Sequence, residues 1–164
     1  MSEPRAAASG GLTHVDEAGH ARMVDVSGKD VTAREARASG RVLLSPAAVA
    51  GLRAGTVPKG DALAVARIAG IMGAKKTPDL VPLCHPIALH SVKVDLEVTG
   101  DGVTISAVTR TADRTGVEME ALTSVAVAGL ALIDMIKAVD PAAVLSDVRV
   151  EEKTGGKTGP WRRP

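Results

Sequence analysis

The 164-residue chain is long enough for one domain with a real core, and its 45% apolar, 24% charged composition is globular rather than disordered. With one Trp and neither Phe nor Tyr, it lacks the aromatic platforms on which single-stranded nucleic acid is usually stacked. A net charge of +1 supplies no global field toward DNA or a membrane, and the lone Cys84 excludes an intrachain disulfide and fits a reducing compartment. A cytoplasmic protein with no nucleic-acid or membrane partner is expected, and any anion must be held by local clusters.

Residues 1–11 are rich in Ala, Ser and Gly without the apolar core of a signal peptide, and are expected to be a disordered leader. A single domain is expected over residues 12–157, with a flexible tail over 158–164. Leu12–Asp16 and Met23–Ser27 read as short arms lying on the domain. Val31–Leu44, with its β-branched residues and the basic pair Arg34 and Arg37, reads as a strand. Ser45-Pro46 opens a short helix, with Ser as N-cap and Pro at the first position, ending near Gly51–Gly55. A second helix runs from Ala62 to about Lys76, where Thr77-Pro78 stops it. Its Ala and Gly content permits close backbone packing.

Val92, Val94, Leu96 and Val98 alternate with Lys93, Asp95 and Glu97, the period of a half-buried strand. Gly100-Asp101-Gly102 turns it, and Val103, Ile105 and Ala107 continue the alternation as a hairpin. From Gly116, a run of about twenty residues rich in Ala and Leu, free of proline, predicts a long helix. Leu122, Val125, Gly129, Leu132 and Ile136 give it an apolar face. Its charges sit at the ends: Glu118 and Glu120 where the helix dipole favours anions, Asp134 and Lys137 one turn apart at the other end. An uncharged middle predicts burial along most of its length. No apolar run is expected to span a membrane. Val144–Glu151 is a last strand, and Lys153–Gly159 a flexible basic tail. The order β-α-β-β-α-β, with an extra short helix, is the ferredoxin-like split βαβ pattern of a two-layer α+β domain.

Gly155-Gly156-Lys157-Thr158 has the ending of a phosphate loop, but Glu151 stands where that motif needs Gly, and no helix follows. Cys84-His85 and His90 are too few, and wrongly spaced, for a closed zinc site, so no metal is expected. By residue type alone, Cys84 reads as a small buried residue and His85 as a core histidine bonded to a carbonyl. Arg34, Arg37, Lys59, Lys75, Lys76, Arg110, Arg114, Lys137, Lys153 and Lys157 fall mostly at element ends. A solvated surface would scatter them similarly, whereas convergence of several would point to a polyphosphate.

Several stretches, taken together and in order, resemble the molybdenum cofactor biosynthesis protein C family, the cyclic pyranopterin monophosphate synthases. They are Leu12–His14, Met23–Ser27, Thr32–Arg37, Lys59–Asp61, Ala66–Ile71, Leu83-Cys84-His85-Pro86, Thr115–Leu122 and Asp134–Val139. Asp113 stands where the family pattern has Gly. The resemblance implies a ferredoxin-like fold and a homohexamer, a trimer of dimers with sites at dimer interfaces. It implies conversion of (8S)-3′,8-cyclo-7,8-dihydroguanosine 5′-triphosphate to cyclic pyranopterin monophosphate and diphosphate. By position, it places substrate contacts on Leu83, Cys84, His85, Met119 and Glu120 and an acid–base role on Asp134. Neighbouring functional residues fall on Arg34, Lys59, Glu118, Lys137, Lys153 and Lys157.

That chemistry suits those residue types. Arg and Lys can hold a triphosphate, and ring opening and closure need proton transfers for which Asp134, Lys59, Lys137 and His85 are candidates. Cations stabilise departing diphosphate. No cofactor is required, although Mg2+ could accompany the triphosphate. The competing reading is a non-catalytic oligomeric sensor that binds a nucleotide with the same basic residues. One geometric consequence follows from spacing. Glu120 and Asp134 are fourteen residues apart, about 21 Å along a straight helix, so one chain cannot bring both to one reacting centre.

Overall fold

The computed structural model describes residues 14–16 and 18–164, and the expected leader at residues 1–11 lies outside them. The central strand β1, Thr32–Leu43, alternates as its sequence demands: Ala36, Ala38 and Val42 are buried, while Arg37, Ser39 and Arg41 lie on the opposite face. The inward residues are small, which lets a helix sit close over the strand. On one side β1 pairs antiparallel with β3, Gly102–Asp113, from Thr32↔Asp113 to Leu43↔Gly102. β3 in turn pairs with β2, Ser91–Val98, through the hairpin at residues 99–101. On its other side β1 pairs with β4, Val144–Thr154, with two register shifts.

The sheet order is β2-β3-β1-β4-β5, with β5 the two residues Trp161–Arg162. Its first four strands are the ferredoxin-like arrangement, an antiparallel split βαβ sheet. Two elements extend beyond expectation. β3 runs on to Asp113, and β4 runs past Glu151 to Thr154, so Arg110 and Lys153 are strand residues. Trp161–Arg162 form β5, paired with Lys153 and Glu152 of β4. The Gly155–Gly159 turn brings the chain back, satisfying a backbone edge that a sequence pattern does not register.

The first helix carries the expected punctuation, and the second has a cap of its own. In α1, Pro46–Ala54, the Ser45 hydroxyl accepts from the Ala48 amide at 3.3 Å, and Gly55, at φ 67°, closes the last turn in the left-handed region. In α2, Ala62–Ala74, the Asp61 carboxylate caps the Ala64 amide at 3.0 Å. α2 ends at Ala74, and Thr77-Pro78 starts a separate short helix, α3, Thr77–Leu80. The Thr77 hydroxyl donates to the Ala74 carbonyl at 2.9 Å, and proline is tolerated in a first turn because no amide is needed there.

The long helix is α4, Glu118–Ile136, unbroken over 19 residues. Val125, Leu132 and Ile136 are fully buried and meet Val42, Val103 and Ile105 of the sheet. Each such side chain contributes about 1.5–3 kcal/mol relative to exposure. By length and composition α4 could cross a membrane, contrary to the sequence expectation, but it packs on β1, β3, β4 and α2 as a core helix. α2 crosses it closely: a Cβ on Gly70 would come within 2.9 Å of the Ser124 carbonyl. The Gly and Ala residues of α2 are thus packing residues.

Candidate active site

The two charged ends of α4 hold two separate clusters. At its N-terminal end lies an open cleft of about 430 Å³. One wall is the loop between α3 and β2. It turns through the Cys84 amide on the Val81 carbonyl, and returns to the sheet through the Thr111 hydroxyl on Ala88 and the His90 amide on Arg110. Leu83, Cys84 and His85 line the cleft from this loop. The opposite side is the start of α4, with Gly116, Glu118, Met119 and Glu120. The Thr109 hydroxyl, buried in β3, donates to the Val117 carbonyl at 3.0 Å and fixes where that helix begins.

The third wall is the arm ahead of β1, represented by His14, Val24, Val26 and Lys29. His85 Nε2 lies 2.6 Å from the Val24 carbonyl. A carbonyl only accepts, so Nε2 carries the hydrogen and Nδ1 is left for other work. The expected carbonyl-bonded histidine and the expected site histidine are therefore the same residue.

Glu120 is only 3% exposed. Burial, reinforced by the neighbouring Glu118 charge, pushes its carboxyl up to about 7 against a weaker opposing pull from its own backbone amide. It is no surface anion placed to suit the helix dipole. Burial, and then the Glu120 charge, raise the Cys84 thiol above its ordinary value. That favours the thiol over the thiolate, and so a packing role over nucleophilic chemistry.

A narrower cavity of about 90 Å³ adjoins this cleft behind Glu118, lined by Arg34, Glu118, Lys153 and Gly155 among others. Lys153 Nζ lies 3.0 Å from the Glu118 carboxylate, and Arg34 Nε donates to the Asp113 carbonyl at 3.0 Å. Gly156, at φ 77°, lets the chain pass so close to Arg34 that a Cβ would collide with the guanidinium. Lys157 is exposed and lines neither cavity.

At the other end of α4, Lys59 Nζ and Lys137 Nζ each lie 2.7 Å from one oxygen of Asp134. Lys137 is one turn away on the same helix. Lys59 comes from the α1–α2 loop, anchored by the buried Val57, whose carbonyl receives the Gly60 amide at 3.0 Å. Hydrogen bonds from Lys137 and then Lys59 hold the Asp134 carboxyl well down, at about 2. All three side chains are solvent-accessible. No group of three or more His, Cys, Asp or Glu able to hold a metal exists among the described residues.

A depression of about 450 Å³ lies on the sheet face away from α4, around Ser39, Arg41, Asp95 and Arg149. Arg41 pairs there with Asp101, Asp95 with Lys93 and Arg149 with Glu151, Glu97 and Asp147 make no ion pair among the described residues, and no titratable group lining it is buried. The chemistry-bearing residues are instead at the ends of α4.

Residues 23–156 match the family model described as the MoaC family. The chain belongs to the MoaC family. Among curated relatives, cyclic pyranopterin monophosphate synthase of Streptomyces avermitilis is 72% identical, covering 93% of this chain and 89% of its own. The protein of the same name from Rhodospirillum rubrum is 55% identical over 98% of both chains. Cyclic pyranopterin monophosphate synthase 3 of Mycobacterium tuberculosis H37Rv is 56% identical over 94% of this chain and 88% of its own.

In this MoaC chain the sequence-expected residues divide into groups. Leu83, Cys84, His85, Glu118, Met119 and Glu120 share the cleft, while Arg34 and Lys153 stand behind Glu118. Lys59, Asp134 and Lys137 form the remote triad. The expectations assigned no site role to His14 or Lys29. Both lie in the arm, whose contact with the cleft is tertiary and leaves no periodicity in the sequence.

Proposed function

We propose that this MoaC-family chain is a cyclic pyranopterin monophosphate synthase acting in molybdenum cofactor biosynthesis. Its substrate is (8S)-3′,8-cyclo-7,8-dihydroguanosine 5′-triphosphate, and its products are cyclic pyranopterin monophosphate and diphosphate. The observation that carries this is the 72% identity, over nearly the whole chain, to a protein of that name. Two clusters, each pairing carboxyl and cationic groups, suit a substrate with a ring system at one end and a triphosphate at the other.

Within this reading, the cleft at the start of α4 receives one part of the substrate and the Lys59–Asp134–Lys137 triad acts on another. A carboxylate held at about 2 is a weak proton acceptor near neutrality. Asp134 therefore serves by aiming the two ammonium groups, and the lysines, with His85 Nδ1, are the proton-transfer candidates. Arg34 and Lys153 neutralise charge beside Glu118, and Lys157 reaches the site only if its loop moves. No resident cofactor is required, and any Mg2+ arrives with the triphosphate. The setting is the cytoplasm, where a lone thiol such as Cys84 stays reduced.

Both ends of α4 can serve one reaction only if the N-terminal end in one subunit meets the C-terminal end in another. A two-fold axis across paired helices does this and yields two equivalent sites per dimer. The outer face of the helix layer supports such pairing: Ile68 and Met72 of α2 and Leu130 of α4 are 59%, 61% and 60% exposed. A homohexamer built as a trimer of such dimers completes the proposal. The deciding experiment is incubation of purified protein with the cyclic dihydro-GTP compound. Stoichiometric diphosphate and the cyclic monophosphate are expected, and binding without either product would refute the enzyme reading in favour of a sensor.

A further inference from the structure

Lys29 sits in the arm that forms the third wall of the cleft, opposite the Leu83–His85 loop and the start of α4. It makes no ion pair among the described residues. Glu118 and Glu120 face the same cleft and would be its natural partners. Glu118 is already matched by Lys153 at 3.0 Å, and Glu120 is buried. The cleft therefore presents an exposed ammonium, and of the two carboxylates that line the cleft one is engaged and the other buried.

The backbone of Lys29 is held in a specific way. Among the described residues the arm has almost no regular pairing of its own, only the isolated Val15↔Ala21 bridge. Residues 25–29 fold into a turn, with the Ser27 amide on the Asp25 carboxylate at 2.9 Å and the Lys29 amide on the Val26 carbonyl at 3.0 Å. The Arg114 guanidinium Nε then donates to the Lys29 carbonyl at 2.9 Å. One residue earlier, the Asp113 carbonyl accepts from Arg34 Nε at 3.0 Å, and the Asp113 carboxylate caps the Arg114 amide at 2.6 Å. A single turn at the end of β3 thus brackets two cations, Arg34 behind Glu118 and Lys29 across the cleft mouth.

We propose that Lys29 is a further substrate-binding residue, contacting the anionic phosphate end of the bound nucleotide, and that Arg114 is its positioning residue. This rests on the reading of the substrate as a triphosphate. An ammonium is a compact charge with three donors on a flexible stem, suited to phosphate oxygens that do not need a planar fork. Arg114 is spent on a carbonyl and contributes through Lys29, because without it that segment keeps only its local turn bonds and the His85 bond to Val24, five residues before Lys29. The raised Glu120 carboxyl agrees with the arrangement, since a Glu120 that is partly protonated near neutrality competes less for the ammonium.

Two readouts test this. The first is calorimetric titration of the full chain with inorganic triphosphate, which needs no turnover. Wild type should bind, Lys29→Met should weaken binding at least tenfold, and Lys29→Arg should restore it to within about threefold. The second is steady-state diphosphate release from the cyclic dihydro-GTP compound. Lys29→Met should raise KM at least tenfold with kcat within about threefold, and Arg114→Met should raise KM several-fold. The double variant should be no worse than Lys29→Met alone, because Arg114 acts through Lys29. Absence of triphosphate binding by wild type, or unchanged binding and KM in Lys29→Met, overturns the inference. Additive effects in the double variant overturn the positioning role. A wild type that binds triphosphate through Lys29 but releases no diphosphate refutes the synthase reading and leaves the binding assignment standing.

Discussion

Replacing Glu120 by Gln should make the protein more stable at alkaline pH and leave it unchanged at acid pH. Glu120 is 3% exposed and its carboxyl is raised from 4.5 to about 7 by burial. Below pH 4.5 the folded and unfolded chains both carry the neutral acid, and no difference arises. Between 4.5 and 7 the unfolded chain releases its proton while the folded chain keeps it, so stability falls as pH rises, and it levels off above 7. With one pKa unit equal to about 1.4 kcal/mol, wild type is handicapped by about 1 kcal/mol at pH 5.5 and about 3 kcal/mol at pH 8.5. Glutamine keeps the shape of the neutral acid and cannot ionise. The gap in melting temperature between Glu120→Gln and wild type should therefore widen by about 4–8 °C from pH 5.5 to pH 8.5, at about 2–4 °C per kcal/mol for a chain of this size. Thermal melts at matched ionic strength and protein concentration measure it, and a 13C-carboxyl NMR titration reads Glu120 directly. A gap independent of pH, or a Glu120 midpoint near 4.5, would refute the burial argument.

The remaining predictions concern the site and the core. Lys59→Ala and Asp134→Ala should each lower kcat by at least a hundredfold with circular dichroism and substrate binding largely retained, and activity within a few-fold of wild type would remove that residue from the catalytic triad. Cys84→Ser should retain substantial activity while His85→Ala loses most of it, whereas a dead Cys84→Ser together with inactivation by one equivalent of alkylating agent would indicate covalent catalysis through the thiol. Mixing dissociated Glu120→Ala and Asp134→Ala subunits and reassembling them should restore about a quarter of wild-type activity. Half the dimers are then mixed, and each has one intact site of two. No recovery, with mixed oligomers verified by mass spectrometry, would reject the shared site. Leu132→Ala, at a fully buried position under the sheet, should cost about 2–5 kcal/mol in chemical denaturation without altering KM.

Periodicity alone determines much of this protein. The β-branched residues of β1, the alternation in β2 and β3, the cap of α1 and the uncharged length of α4 are local signals, legible because burial and capping act on residues a few positions apart. The split βαβ order follows from the succession of those elements, and the Leu83–His85 and Thr115–Leu122 stretches mark the site neighbourhood by their residues. Even the 21 Å problem of Glu120 and Asp134 needs only the rise of a helix.

What the tertiary structure decided is where unlike segments meet. Lys59 and Asp134 lie 75 positions apart, and only the packing of the α1–α2 loop against the end of α4 puts an ammonium 2.7 Å from that carboxylate. Glu118 and Glu120 look equivalent in a first helical turn. The fold buries one in the cleft wall and matches the other to Lys153, which reaches it because β4 continues to Thr154. Trp161–Arg162 reads as tail until an open edge of β4 accepts it. The arm carrying Lys29 shows no periodicity, because it is held by single bonds from His85 and Arg114 rather than by a repeating ladder. Local sequence encodes the repeating interactions of a helix or strand, whereas a charge's partner, and so its pKa and its use, depends on three-dimensional proximity between residues far apart in the chain.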